Sequence, residues 1–94
     1  GMITCAEDYN LDEVLQKIKA YRVEGTVENS VLFRGCQIKK GAVVRNCVLM
    51  QDTVVQEGAR LEYVITDKNV TISVGKELYG TDSFQVYVAK YQTV

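Results

Sequence analysis

The 94-residue chain contains no histidine, no tryptophan and no proline. Histidine is the commonest general base and the commonest metal ligand, so its absence excludes imidazole catalysis and histidine-based metal sites. No apolar run approaches the roughly 18 residues that a membrane-spanning helix needs, and no charged and apolar leader opens the sequence. We therefore expect a cytoplasmic protein that has no membrane partner.

The net charge and the cysteine content are also low. The formal net charge is −1, and without a basic excess we expect no nucleic-acid partner. The three cysteines, Cys5, Cys36 and Cys47, show no metal-ligand spacing, and their odd number is typical of a reduced intracellular protein. The chain is 47% hydrophobic and 24% charged, as expected of one globular domain. From these features we predict no bound metal and no cofactor.

The dominant feature of the sequence is a gapless repeat whose units cover residues 27–43, 44–60 and 61–77. Aliphatic residues, replaced once by Thr66, recur five, six and six positions apart, and a small residue lies two positions before each of them except Leu78, which Lys76 precedes. Glycine recurs at the same place in every unit. The three aliphatic columns are Val27, Val44, Leu61 and Leu78; Leu32, Leu49 and Thr66; and Ile38, Val55 and Ile72. An aliphatic residue at every sixth position, with a small residue two before it, is the hexapeptide-repeat signature.

This pattern predicts an all-β fold, a single-stranded left-handed parallel β-helix of about three coils of 17 residues. Each coil is a triangle of three short strands, with the aliphatic side chains stacked inside and the small residues in the narrow part of the prism. A complete coil of three hexapeptides is one residue longer than this unit, so one face is shortened by one residue. A small β-sandwich is the alternative, but that fold gives no reason for a repeat in register.

The ends of a solenoid need atypical segments, which divides the chain into three parts. Residues 1–26 are predicted to carry an amphipathic capping helix, with Asn10 as its N-cap and Leu11, Val14 and Ile18 on its apolar face. Residues 27–78 form the coils. Residues 79–94 contain a turn signal and alternating apolar residues, which predict a closing strand over the top of the coils.

One outward face is predicted to be an interface. In this register Val31, Val48 and Ile65 point outward and stack across the coils on the shortened face, and Phe33 and Met50 flank them at the next corner. A continuous apolar stripe of this kind is typical of contact with another domain or subunit. The alternative is that these are ordinary surface aliphatic residues without a function.

Catalytic signals are weak, and we predict no catalytic residue. Cys36 and Cys47 occupy small inward positions, which favours buried packing over nucleophilic chemistry. Corner carboxylates and a loose set of basic residues are better explained as solvated groups than as a phosphate site. These residues are Asp52, Glu57 and Asp67, and Arg34, Lys39, Lys40 and Arg45.

The strings VENSVL, IKKGA, NCVLM and ITDKNV closely resemble the C-terminal β-helix domain of glucose-1-phosphate adenylyltransferase, also called ADP-glucose pyrophosphorylase. The tail, with GKEL followed by GT, is most similar to the non-catalytic partner subunit that some Gram-positive bacteria carry for glycogen synthesis. The resemblance covers about residues 24–94. It implies a structural and regulatory domain that contributes to subunit contacts and to effector binding between domains.

The family enzyme transfers adenylyl from ATP to glucose 1-phosphate with Mg²⁺, but its nucleotidyltransferase domain has no counterpart here. The coil expected before Val27 also has no recognisable counterpart, so the sequence is expected to be a truncated product or a fragment. The implied partner is a second copy of the chain or a catalytic adenylyltransferase subunit. Two alternatives remain open, a free-standing hexapeptide acyltransferase, which the missing histidine disfavours, and an oligomerisation module with no enzyme attached.

Overall fold

The computed structural model describes the strand at residues 3–5 and residues 22–94. Thirteen short strands form three sheets, and all the strand pairs among them are parallel. Sheet A contains β1 (Ile3–Cys5), β4 (Ser30–Leu32), β7 (Val48–Leu49), β10 (Val64–Thr66) and β13 (Val86–Val88). Sheet B contains β2 (Arg22–Val23), β5 (Gln37–Ile38), β8 (Val54–Val55) and β11 (Thr71–Ile72). Sheet C contains β3 (Thr26–Glu28), β6 (Val43–Arg45), β9 (Arg60–Glu62) and β12 (Glu77–Tyr79).

From β3 onward the chain visits sheets C, A and B in turn, which is the course of a parallel β-helix. This confirms the all-β solenoid that the repeat predicts, while its left-handed sense stays a prediction. The three aliphatic columns are also confirmed, because Val27 pairs with Val44, Leu32 with Leu49 and Ile38 with Val55. Their side chains fill the interior of the prism together with the small residues two positions earlier.

Every corner between β3 and β12 contains one residue with a positive φ. Glycine holds this conformation between sheets B and C, at Gly41, Gly58 and Gly75, as the recurring glycines predict. Between sheets A and B the residues are Gly35, Asp52, Asn69 and Tyr91, and between sheets C and A they are Asn29, Asn46 and Tyr63. In the regular coils the corner between sheets C and A is the shortest, with one residue between β3 and β4 and between β9 and β10, which places the residue missing from the repeat unit at this corner.

Strands on both sides of residues 27–78 extend the solenoid. β1 and β2 pair with β4 and β5, so part of the coil that the sequence seemed to lack before Val27 is present. β13 continues sheet A as a parallel rung beside β10. Thr93 then bridges to Thr71 in the same direction. The predicted capping helix near residues 10–20 lies outside the described residues.

The last coil is longer than the others. In the earlier coils the core residue of sheet A follows that of sheet C by five positions. In the last coil Val88 is the sheet A core residue, and it follows Leu78 by ten positions. The additional residues form a tight hairpin in which Thr81 and Phe84 exchange two backbone hydrogen bonds of 3.1 Å. This insertion interrupts the sequence repeat, so the repeat alone indicates only about three coils.

The core contains one polar pair. Thr66 stands where the two preceding coils have Leu32 and Leu49, and its hydroxyl lies 2.9 Å from that of Thr53. One coil earlier the equivalent positions are Leu49 and Cys36, whose Sγ donates to the backbone carbonyl of Met50 at 3.1 Å. The two threonines therefore replace the thiol and the leucine with a hydrogen-bonded pair, and the Thr53 hydroxyl also lies 3.3 Å from the carbonyl of Asp67, to which it can donate.

Because the hydroxyls depend on each other, we predict that Thr53→Cys and Thr66→Leu are coupled. Thr53→Cys removes the hydroxyl partner of Thr66 and should lower the free energy of unfolding by about 1–2 kcal/mol, whereas Thr66→Leu leaves the Thr53 hydroxyl only the longer contact to Asp67 and should cost about 1 kcal/mol. The double variant recreates the Cys36–Leu49 pair and should cost about 1 kcal/mol less than the sum. Urea denaturation of the wild type, the two single variants and the double variant measures this coupling. The control is a second cycle in which Thr26→Leu, on the exposed face of sheet C, takes the place of Thr66→Leu. Simple additivity at Thr53 and Thr66 would contradict the prediction.

Candidate interaction surface

The outward face of sheet A carries a continuous apolar stripe. Val31 pairs with Val48 and Val48 with Ile65, and all three side chains are half-buried. The register extends the stripe to Tyr87, the partner of Ile65, which is 62% exposed. The repeat does not predict Tyr87, because the hairpin insertion shifts this residue out of the period. The only signal of its position was the apolar alternation around residues 84–88.

Phe33 and Met50 follow the stripe at the corner between sheets A and B, where the sequence predicts them. Both are half-buried, and they occupy equivalent positions in successive coils. The next residue of this column is Asp67. Its carboxylate accepts hydrogen bonds from the backbone N–H of Lys68 at 2.7 Å and from the hydroxyl of Tyr87 at 3.0 Å. The apolar surface therefore ends at a carboxylate whose acceptor positions are partly occupied.

Electrostatics at this end of the surface follow from that contact. The hydrogen bonds from Lys68 and Tyr87 hold the pKa of the Asp67 carboxyl below its usual value of 3.8, and Lys90 contributes less. The bond to Asp67 raises the pKa of the Tyr87 hydroxyl above its usual value of 10.0. At a pH between the two pKa values, Asp67 is a carboxylate and Tyr87 is a neutral phenol.

The opposite border of the stripe is the short corner between sheets C and A. The amide of Asn29 donates to the amide oxygen of Asn46 at 2.6 Å, and Tyr63 occupies the same position one coil later. A shallow groove runs between this border and the stripe, and the hairpin of the last coil adds to its wall. The residues lining the groove include Asn29, Asn46, Tyr63, Asp82 and Gln85 beside the stripe itself.

The other two faces of the prism are polar. On sheet C, Glu28, Arg45 and Glu62 are in register, and Arg45 forms an exposed ion pair with Glu28 at 3.4 Å. On sheet B the outward column reads Gln37, Val54 and Thr71. Exposed ion pairs contribute little to stability, so sheet C has the character of a solvated face. Only sheet A has an unbroken apolar column among the described coils.

The cysteines that the sequence analysis weighed as nucleophiles are packed in the core. Cys36 and Cys47 are both buried. Burial raises the pKa of the Cys47 thiol to about 11, although backbone hydrogen bonds around it act in the opposite direction. A thiol of this kind is protonated near neutral pH and unreactive as a nucleophile.

The basic residues do not converge on one site. Arg34 lies at the corner between sheets A and B, Lys39 and Lys40 lie between sheets B and C, and Arg45 ends a strand of sheet C. The carboxylates Asp52 and Glu57 are exposed at separate corners. Within residues 22–94, no three His, Cys, Asp or Glu side chains lie close enough together to bind a metal. Over the same part of the chain, no helix is long and apolar enough to span a bilayer.

The repeat, the three parallel sheets and the stacked aliphatic core define a hexapeptide-repeat solenoid. The family model described as "GlmU-like, C-terminal hexapeptide" matches residues 19–87, and the chain belongs to this family. No solved structure matches the chain.

Known relatives are named glucose-1-phosphate adenylyltransferase. The protein from Corynebacterium jeikeium is 43% identical over 58 residues, which are 62% of this chain and 14% of the relative. That from Acetivibrio thermocellus is 32% identical over 62 residues, 60% of this chain and 15% of the relative. That from Clostridium perfringens is 50% identical over 34 residues, 36% of this chain and 9% of the relative. The chain thus matches only a small part of each relative's length, and the resemblance seen in the sequence is confirmed for that part.

The positive φ of Tyr63 leads to a prediction about which residues are stable at this position, in the corner between sheets C and A. Asparagine tolerates this conformation much better than a bulky residue, and Asn29 and Asn46 adopt it at the same corner. We expect Tyr63→Asn to be more stable than Tyr63→Ala by about 1 kcal/mol, since both remove the ring but only Asn suits the corner and can extend the amide ladder. Urea denaturation of the two variants tests this. An alanine variant as stable as the asparagine variant would show that the corner does not select its residue.

The Asp67–Tyr87 contact predicts a pH dependence in acid. Because the pKa of Asp67 is lowered in the folded state, its carboxylate stabilises the protein above its unfolded value of about 4, and this contribution is lost as the pH falls through the lower folded value. Tyr87→Phe should raise the pKa of Asp67 and reduce the loss of stability in acid. NMR titration of the Asp67 carboxyl measures the shift, with Tyr79→Phe on sheet C as control. An Asp67 titration that Tyr87→Phe leaves unchanged would refute the assignment.

Proposed function

We propose that this chain is a non-catalytic assembly domain, structural and regulatory, of a glucose-1-phosphate adenylyltransferase-like protein in ADP-glucose and glycogen synthesis. The observation that carries the proposal is the unbroken stripe of Val31, Val48 and Ile65 on sheet A. In this function the stripe contacts a second copy of the chain or a catalytic adenylyltransferase subunit, and it helps to hold the catalytic domain in position.

The chemistry of the stripe supports a protein partner. Its floor is aliphatic, while its borders carry amides, a carboxylate and tyrosine hydroxyls, which can hydrogen-bond at the rim of a contact. An apolar centre with a polar rim is the common anatomy of protein interfaces. Phe33, Met50 and Tyr87 add residue types that interfaces favour.

The side-chain inventory supports a non-catalytic role. The sequence contains no histidine, Cys47 is buried with a raised pKa, and the basic residues lie at different corners. Hexapeptide acyltransferases usually use a histidine as general base, and this chain has none. The adenylyl transfer named for the relatives belongs to proteins several times longer than this chain.

The test is the solution mass of the wild type, Val48→Asp and Val54→Asp, measured by light scattering coupled to size exclusion. Val48 and Val54 are both half-buried outward valines on central strands, but Val54 lies in the polar column of sheet B. We expect an oligomeric wild type, a folded monomer for Val48→Asp and no change for Val54→Asp. Burying an unpaired carboxylate at an apolar contact is strongly unfavourable, so the change in mass should be complete.

If wild type and Val48→Asp are both folded monomers, self-association through sheet A is refuted. The second arm then mixes each variant with a catalytic glucose-1-phosphate adenylyltransferase subunit and measures co-elution. Binding of wild type and Val54→Asp, but not of Val48→Asp, would identify the catalytic subunit as the partner. Equal behaviour of all three proteins in both arms would overturn the proposal.

A further inference from the structure

The last coil breaks the column of small inward residues with two long polar side chains. In the preceding coils this column is small and buried throughout: Ser30, Cys36, Ala42, Cys47, Thr53, Ala59, Val64 and Val70. The equivalent residues of the last coil precede Leu78, Val88 and Val94, and they are Lys76, Val86 and Gln92. Lys76 and Gln92 are exposed.

The backbone shows that these two residues occupy true inward positions. The carbonyl of Lys76 accepts from the N–H of Arg60 at 2.7 Å, as that of Ala59 accepts from Val43 at 2.8 Å one coil earlier. The carbonyl of Gln92 accepts from Thr71 at 2.9 Å in the same way. Both side chains therefore start where coils further down the stack hold a small core residue.

Lys76 and Gln92 lie at an otherwise apolar depression. Its lining includes Leu78, Val88 and Val94, the last members of the three core columns. Among the strands that the structure describes, β12 and β13 are the last of sheets C and A, and each is paired on one side only. Open strand edges around an apolar centre are a template for pairing with another chain, and an inward-pointing charge is one device that proteins use against it.

We infer that Lys76 and Gln92 prevent this end of the solenoid from docking against the same end of a second copy. Two such ends related by a two-fold axis would bring two Lys76 ammonium groups and two Gln92 amides into one apolar contact. Burying them without partners is unfavourable, and the two like charges add to the cost. With small residues in their place, the two ends would be self-complementary.

This inference concerns the end of the solenoid, which meets the sheet A stripe only at Tyr87, and its test uses Val48→Asp as the parent. Lys76→Ala/Gln92→Thr installs the residue types that Ala59 and Thr53 supply in earlier coils. In the Val48→Asp parent, we expect this change to raise the mass from one chain toward two between about 10 µM and 1 mM, the range of a weak contact. Sedimentation equilibrium measures it, and the parent should keep its mass over that range.

Two further variants locate the contact. Lys40→Ala/Gln37→Thr makes the same chemical changes at outward positions away from this end, and it should leave the mass of the parent unchanged. Adding Val94→Glu to the associating variant returns a charge to the depression and should restore the mass of the parent. Association by the control variant, or association that Val94→Glu does not reverse, would overturn the inference.

A folded Lys76→Ala/Gln92→Thr variant with the mass of its parent at all concentrations would also overturn it. If that variant does not unfold cooperatively, Lys76→Met takes its place, since methionine keeps the length of the side chain and removes the charge. A folded Lys76→Met protein without association is then the contradicting result. Every variant is compared with the Val48→Asp parent. The result for the end of the solenoid therefore does not depend on whether Val48→Asp abolishes the sheet A contact.

Discussion

The structure depends on the residue at each corner of the regular coils, from β3 to β12, that adopts a left-handed backbone conformation. In this conformation its amide N–H points along the axis of the prism and bonds to the coil before it. The N–H of Asn46 donates to Glu28 at 3.1 Å, and that of Asp52 donates to Arg34 at 3.1 Å. Gly58 makes the same contact in the third corner, at 3.3 Å. These bonds fix the register of successive coils, and a slip of one residue would exchange the inward and outward side chains.

Sequence reasoning predicted the interior well because interior positions are constrained twice, by volume and by period. Ile38, Val55 and Ile72 can be recognised since each must pack on its equivalent one coil away. The glycine corner was visible for a similar reason. The corners that hold Asn29 and Asp52 were harder to see, because Asn and Asp occur in many turns and only the recurrence of Asn at the same place in the next repeat unit marked one of them.

The last coil shows where a periodic argument fails. The hairpin around Thr81 and Phe84 adds residues at one corner, and beyond it no simple count from the earlier columns finds Val88 or Tyr87. The apolar alternation correctly indicated a strand, but its pairing depends on contacts between distant residues. The repeat therefore predicts the centre of the candidate surface, at Val48, but not its end, at Tyr87.

The three faces of the prism share one backbone but differ in what they expose. Stacking places equivalent residues of the repeat side by side, so a small preference at one position of the unit becomes a column that runs across several coils. Aliphatic residues at the position of Val31 give an apolar stripe, whereas alternating charges at the position of Glu28 give a solvated ladder. A single repeat can in this way specify both a surface for contacts and surfaces that avoid them.

The fixed separation between stacked residues also bears on how the chain folds. Core neighbours are one repeat unit apart in every regular coil, so each new coil closes a loop of the same length however many coils already exist. The entropic cost of closing a loop rises only with the logarithm of its length. Closing the longer loop from Thr66 to Val88 therefore costs about 0.2 kcal/mol more than closing a regular coil. An insertion at a corner therefore slows the search for contacts very little, and a solenoid of this kind can acquire loops at its corners without losing its ability to fold.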